Sequence, residues 1–311
     1  MKILITGGTG FVGSALVRHL TEQNHSVVIA SRKEQAPSEG IAYIKLPNPG
    51  ERFPQELIEQ LHGVINLGGH NISQGRWSKS VKKQILASRL QLTKQIVDSI
   101  GRNKSEGLSY PRELINASAV GYYGTHLQQV FHEESPRGKG FLAEVCQAWE
   151  QEAREAEKFG LRVVLLRLGM VLGPGGALQK MILPYKFGFG GLIGSGQQWC
   201  SWIHRDDVVN VVTLALEKRA WEGVYNLCSP NAVTMKELDR AIADVLGKRS
   251  WTRLPAFMAR LVLGEMAEEL LINGQIVLPQ RLMAMDYQYK FSEILPAIKD
   301  VLGKNSHPPA A

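Results

Sequence analysis

Lys2-Ile3-Leu4-Ile5-Thr6-Gly7-Gly8-Thr9-Gly10-Phe11-Val12-Gly13, followed by the helical pattern Ala15-Leu16-Val17-Arg18-His19-Leu20, decides the fold of this chain. An apolar run that feeds a glycine cluster and then an amphipathic segment reads as strand, tight turn and helix. Such a junction suits a pyrophosphate. A helix start offers unpaired N–H groups and a partial positive charge, while Gly7, Gly10 and Gly13 allow the turn, close approach of a ligand, and close packing of helix on strand. The spacing alone is a weak signal, and its place at the first strand-to-helix turn gives it weight. A dinucleotide is the expected ligand, with Gly7, Thr9, Gly10, Phe11, Val12 and Gly13 as its contacts.

The second apolar run, Ser26-Val27-Val28-Ile29-Ala30, ends at Ser31-Arg32-Lys33. An acidic residue at the end of this strand would hold the ribose 2′-OH of NAD, and none stands at positions 31–33. Arg32 offers a planar fork and Ser31 a hydroxyl to a 2′-phosphate, so these two residues predict NADP in preference to NAD.

Beyond that point, apolar runs at 41–46, 64–67, 114–117 and 163–168 alternate with helical patterns at 78–100 and 141–159. Alternation of this kind predicts a doubly wound parallel α/β sheet, Rossmann-like, with right-handed helical crossovers. Ligands of such sheets bind beyond the C-terminal strand ends. The expected cofactor contacts therefore extend to Leu67, Gly68 and Gly69, to Ser118, and to Leu168 and Gly169. The last third changes texture, with Pro184, Pro230, Pro255 and Pro279 separating short elements and an amphipathic stretch at 256–271. It reads as a smaller C-terminal substrate lobe. The expected organisation is a cofactor domain over 1–175, to which some later segments return, a substrate lobe and small terminal domain over 176–304, and a disordered tail over 305–311.

With 311 residues and 44% hydrophobic content the chain can bury a large core. Its net charge of +7 comes from scattered cations, which small anionic ligands explain without nucleic acid. Cys146, Cys200 and Cys228 are widely spaced and odd in number, with no CxxC or His/Cys cluster. That argues for a reducing compartment and against a metal site. No signal-peptide pattern and no apolar run of about 18 residues is present, so the expectation is a cytoplasmic protein with no membrane partner and a small-molecule substrate.

Thr6-Gly7-Gly8-Thr9-Gly10-Phe11-Val12-Gly13 resembles the opening of the extended short-chain dehydrogenases/reductases, the nucleotide-sugar epimerase and dehydratase group. Val64-Ile65-Asn66-Leu67-Gly68-Gly69, Arg76-Trp77, Ser88-Arg89, Ser118-Ala119-Val120-Gly121-Tyr122-Tyr123-Gly124 and Trp199 through Asp207 resemble one epimerase-like branch of it. Gly264-Glu265-Met266-Ala267 and the run from Asn273 to Leu282 resemble the small domain of unknown function that closes that branch. The resemblance implies an NADP-dependent oxidoreductase or epimerase-like enzyme acting on a carbonyl, an alcohol or a nucleotide-sugar-like substrate.

The chain departs from the wider superfamily where acid–base chemistry is expected. A Tyr-x-x-x-Lys pair usually does that work, the lysine lowering the tyrosine pKa. Matching Glu150 to the glutamate that follows the pair puts Cys146 at the lysine position and Leu142 at the tyrosine position, and the neighbouring register offers Phe141 and Val145. The usual Ser or Thr falls on Ala119, with Ser118 one residue away. Ser118, Tyr122 and Tyr123 are therefore the candidate catalytic groups, and Glu144 is a candidate base. Packing under the lobe is the competing role for the tyrosines. Arg76, Trp77 and Trp202 are the candidate substrate contacts, since a guanidinium beside an indole holds anionic or planar groups. Trp77 reads equally as a staple before an N-cap at Ser78. Asp206 or Asp207 is the expected cap of a helix running to Lys218, Asn66 a turn residue, and His204 structural. The alternative to an enzyme with a relocated tyrosine is an NADPH-binding sensor or scaffold with little turnover.

Overall fold

Ile3, Leu4, Ile5 and Thr6 are all fully buried, which makes β1 (Lys2–Thr6) a strand covered on both faces. Central parallel strands have that character because helices cross over both sides of the sheet. A computed structural model describes residues 1–33, 36–73 and 75–303. The predicted tail at 305–311 lies outside the described residues.

From β1 the chain enters α1 (Gly13–Glu22), returns as β2 (Ser26–Ser31) and β3 (Ile41–Lys45), and passes through α2 (Gln55–Gln60) to β4 (Gly63–Asn66). Next come α3 (Lys79–Ser105), β5 (Glu113–Ala119), the short β6 (Val130–Phe131), α4 (Phe141–Arg154) and β7 (Arg162–Leu168). The short strands β8 (Met170–Leu172), β9 (Gly191–Ile193), β10 (Trp199–Cys200) and β11 (Trp202–His204) flank α5 (Gly176–Lys186) and lead into α6 (Arg205–Glu217). The chain then rejoins the main sheet as β12 (Gly223–Leu227). The result is one seven-stranded parallel sheet of order β12-β7-β5-β4-β1-β2-β3.

Two cores sandwich this sheet. Leu16 and Leu20 of α1 and Val208 and Val212 of α6 cover one face, and Ile96 and Ile100 of α3 and Ala153 of α4 cover the other. The 205–227 segment therefore belongs to the sheet layers although it follows much of the lobe in sequence. A third core, with Trp202, Leu238 and Ile298, joins α5 to α7 (Met235–Leu246) and the terminal helix Ile294–Gly303. The short strand β13 (Val233–Thr234) precedes α7, and β14 (Thr252–Leu254) and α8 (Ala256–Leu263) follow it.

Ser78 caps α3, its side chain accepting the N–H of Val81, and the helix runs about one turn past the predicted end at residue 100. The pattern at 141–159 is α-helical only to Arg154 and tightens into a 3₁₀ turn at Glu155–Phe159. The expected cap of α6 needs correction. His204 is the cap, its Nδ1 accepting the N–H of Asp206 at 3.2 Å. Asp207 is instead buried and accepts the N–H groups of Lys290 and Phe291, a contact no local pattern announces.

Candidate functional site

The strand order reverses between β1 and β4, so a cleft opens beyond their C-terminal ends. Its floor is built by glycine. Gly7 takes a positive φ of 72° and accepts the N–H of Gly10 at 2.9 Å. A Cβ on Gly7 would stand 2.8 Å from the backbone of Leu67, and one on Gly13 would overlap the carbonyl oxygen of Gly7. Val12 caps α1 without a side-chain hydrogen bond, and the first turn contains no acid. The positive end of α1 thus faces a groove that side chains leave clear, with Thr9 and Gly10 exposed along it. A dinucleotide phosphate fits that cradle. Phe11 lines the cleft differently from its neighbours: its ring packs against Gly173, Gly175 and Gly176 and ties the turn to the loop before α5.

At the end of β2, Ser31 is buried and its hydroxyl accepts the N–H of Lys33 at 3.2 Å, while Arg32 is exposed. At the end of β4, Gly68 is clamped between Leu92 and Thr6, and a Cβ on Gly69 would lie 3.0 Å from the guanidinium carbon of Arg89. A buried hydrogen-bond chain supports this wall. Thr6 donates to Asn66 at 2.6 Å, and Asn66 donates to Asn116 at 2.6 Å and to Thr93 at 2.9 Å. Asn66 is therefore a buried network residue rather than a turn residue. At the far edge, Leu168 is half-buried, and Gly169 donates its N–H to Leu227 at 2.9 Å, close under the carbonyl of Ser201.

Arg89 is the residue that sequence reasoning underused. Its Nη1 donates to the carbonyls of His70 (3.2 Å) and Ile85 (2.9 Å), and its guanidinium lies 5.1 Å from the Trp149 ring. Every one of these partners is neutral. Burial pulls its pKa below the ordinary guanidinium value, and the nearby Cys146 opposes the shift. The guanidinium thus stands desolvated against the Gly68-Gly69 turn with neutral hydrogen-bond partners. The signal was a charged residue on the inner face of α3, one turn before the buried Thr93.

Around β5 the structure corrects several expectations. Ser118 is buried and donates to Glu150 Oε1 at 2.6 Å, so its proton is committed to a carboxylate instead of a substrate oxygen. Tyr123 is 1% exposed, donates to Asn226 at 2.7 Å and accepts from Arg167 at 2.9 Å. Burial pushes its pKa up to about 12 despite the guanidinium. It is a packing residue. Tyr122 alone of the three stays half-exposed, its ring 3.5 Å from the Arg167 guanidinium. Glu144 is exposed on the first turn of α4. At the positions matched to the usual pair, Leu142 packs beside Gly121, and Cys146 is buried with its pKa raised to about 11 by desolvation and the nearby Glu150. Neither side chain transfers protons at neutral pH.

The substrate candidates divide. Trp202 is fully buried, its indole N–H donating to Asn231 at 2.9 Å, and it belongs to the lobe core, not to the cleft. Trp77 is 7% exposed, donates to Ile72 at 2.8 Å and meets Phe141 edge-on at 5.2 Å, which makes it packing at the entry to α3. Arg76 remains exposed beside Gly264 at the start of the terminal domain. On the same rim Lys180 of α5 donates to Ser73 at 3.0 Å and joins the lobe to the β4–α3 loop.

Beneath the cleft lies a buried ion pair. Arg167 donates twice to Glu150, each at 2.8 Å, and its Nη1 also reaches the carbonyl of Glu133 at 3.3 Å. Glu133 in turn accepts the N–H groups of Asn226, Gln280 and Arg281. The network joins β5, α4, β7 and β12 to the terminal domain.

Known proteins resemble this chain over nearly its whole length. Residues 3–228 match the NAD-dependent epimerase/dehydratase family, and residues 254–301 match a domain of unknown function, DUF1731. The epimerase family protein SDR39U1 homolog, chloroplastic, of Arabidopsis thaliana is 39% identical over 308 residues, spanning 97% of this chain and 87% of that one. The epimerase family protein YfhF of Bacillus subtilis is 37% identical over 304 residues, spanning 97% and 98%. The crystal structure of human epimerase family protein SDR39U1 with NADPH superposes with a TM-score of 0.84 at 32% identity, covering 97% of this chain and 99% of that one. The glycine turn at the end of β1, the parallel sheet order and the terminal domain agree with these matches, and the chain belongs to the NAD-dependent epimerase/dehydratase family, among the extended short-chain dehydrogenases/reductases with an NAD(P)-binding Rossmann fold.

Proposed function

We propose that this chain binds NADP(H) in the cleft between β1 and β4 and transfers hydride between it and a carbonyl or alcohol carbon of a small substrate. The observation that carries the cofactor preference is Arg32, exposed at the end of β2 and placed to pair with a 2′-phosphate. The human relative crystallised with NADPH supports the same choice. In this reading the N–H groups at the start of α1 and the Arg89 guanidinium bind the diphosphate, and Ser31 and Arg32 bind the 2′-phosphate. A bound nicotinamide supplies the hydride, and the protein orients it. Tyr122 holds the proton for the substrate oxygen, its ring held in place by the Arg167 guanidinium 3.5 Å away. Arg76 orients the substrate from the rim.

A second reading has its own support. With Leu142 and Cys146 at the usual acid–base positions and the Ser118 and Tyr123 hydroxyls engaged, the same fold serves as an NADPH-dependent sensor or scaffold with little turnover. Two experiments separate these outcomes. Calorimetric titration should show Arg32→Ala weakening NADPH by about tenfold or more and leaving NADH nearly unchanged, as loss of a charge-assisted contact to one phosphate requires. Equal losses for both would remove the 2′-phosphate assignment. Incubation with deuteride-labelled NADPH and a panel of carbonyl compounds and nucleotide sugars should give label transfer that Tyr122→Phe abolishes without weakening NADPH. Binding with no transfer across the panel would favour the sensor.

A further inference from the structure

The exposed large apolar side chains of this protein are concentrated on one face of the lobe. Phe187 is 70% exposed, Phe189 60%, Trp251 68% and Phe257 66%. The pairing of two short strands gathers part of this surface. β14 pairs in parallel with β9, Trp251 donates its indole N–H to Gly188 at 2.9 Å, and the rings of Phe189 and Trp251 lie 6.4 Å apart. α8 follows directly. Its buried side is a single residue, Ala259, while Phe257 and Leu261, and Met258 and Val262, repeat at four-residue spacing on the outside. A short helix that turns four apolar side chains and one arginine outward leaves much apolar surface in water, and exposed apolar surface of this kind marks an interaction site.

The charge around this surface selects the partner. The two segments that build it, 180–190 and 247–263, contain Lys180, Lys186, Lys248, Arg249, Arg253 and Arg260 and no Asp or Glu. All six cations are exposed, Arg260 paired with Glu268 beyond the helix and Lys180 bonded to Ser73, which leaves Lys186, Lys248, Arg249 and Arg253 to carry most of the charge. We propose that this face docks on an anionic lipid bilayer, with the α8 and Trp251 side chains inserted at the level of the headgroups and the surrounding lysines and arginines on lipid phosphates. Aromatic and aliphatic side chains rimmed by cations are what an interfacial helix presents to such a surface. A second copy of the chain is a poor occupant, because a symmetric interface would set these cations against themselves. Single-stranded nucleic acid would use the aromatic rings and leave Leu261 and Val262 in water. Among the described residues no helix is long and apolar enough to cross a membrane, and surface docking requires none. α8 ends at Gly264, which packs on Arg76 at the cleft rim, so the docked face adjoins the mouth of the proposed substrate site.

The test is flotation of the full chain with vesicles of phosphatidylcholine alone and of an equimolar mixture of phosphatidylcholine and phosphatidylglycerol. Binding to the mixed vesicles, weakened by salt and absent from the neutral ones, is expected. F257S/L261S and K248E/R249E should each weaken it by at least about tenfold, since each removes two contributions of the size that holds a peripheral helix. All four side chains are exposed, so melting temperatures should match the parent. As a measurement free of those variants, brominated lipid should quench tryptophan emission in the parent and not in W251F, Trp251 being the most exposed tryptophan. Failure to bind the mixed vesicles, or undiminished binding by F257S/L261S, would overturn the proposal. So would self-association abolished by the same pair, which would give the face to a second copy, or displacement from vesicles by a single-stranded oligonucleotide.

Discussion

Arg89 is a cation whose fixed partners are two carbonyls and an indole face. Such a group is tolerated in the free protein and is completed by an anion, so its removal should separate folding from binding. Arg89→Met is expected to leave the melting temperature of the free protein unchanged or slightly higher and to weaken NADPH by about ten- to a hundredfold, the range of a hydrogen bond to a charged group. Adenosine 2′-monophosphate, which lacks the diphosphate, should bind as before. A parallel loss of thermal stability and of both ligands would make Arg89 structural instead. The cysteines offer a second residue-scale check. Burial raises Cys146 from 9.0 to about 11 and Cys200 to about 12. Below about pH 9 folded and unfolded thiols are both protonated, and no pH dependence arises from them. Between about pH 9 and 11 only the unfolded thiols ionise, so stability should fall as pH rises through that window. At about pH 8 iodoacetamide should label the denatured chain quickly and the native chain hardly at all.

Among the elements, the junction of β1 and α1 shows how space overrides propensity. Alanine ordinarily improves on glycine within a helix by up to about 1 kcal/mol. At Gly13 its Cβ would overlap the Gly7 carbonyl and stand 2.8 Å from the Gly8 Cα, both of them backbone atoms that cannot swing away. Gly13→Ala should therefore destabilise by about 1–3 kcal/mol in chemical denaturation and abolish NADPH binding in the same titration used for Arg32. α6 shows the reverse case. A carboxylate in its first turn was a reasonable cap, yet Asp207 is drawn to the backbone of Lys290 and Phe291, more than eighty residues away. Competition between a local cap and a distant backbone is invisible in a single stretch of sequence.

Across the whole molecule, the Arg167–Glu150 pair ties α4 to the sheet, and through the Arg167 contact with Glu133 it reaches the backbone of the terminal domain. Breaking it from one side leaves a buried charge, and Glu150→Ala should cost about 3–5 kcal/mol by urea denaturation. Replacing both partners by apolar residues, Glu150→Leu with Arg167→Met, should cost less than that single change, because no uncompensated charge remains. A double loss equal to the sum of the single losses would show that the two side chains act independently. The same network explains why Tyr123 and Ser118 left the list of reactive groups. Their hydroxyls satisfy the pair and its neighbours, a role set by β7 and β12 and not by the residues beside them in the chain.

By itself the sequence determined the parallel α/β sheet, the glycine turn that frees the start of α1, and the basic Ser31-Arg32-Lys33 at the end of β2. These depend on side-chain period and on steric relations between residues a few positions apart, which are present in any short window. Only the tertiary structure decided that Trp202 and Trp77 pack, that Ser118 and Tyr123 are committed to an ion-pair network, that Arg89 reaches the cleft wall, and that α8 turns its apolar face outward. The physical reason is that a polar or aromatic side chain takes its role from whichever partners the fold brings within a few ångströms, and here those partners come from strands and helices distant along the chain.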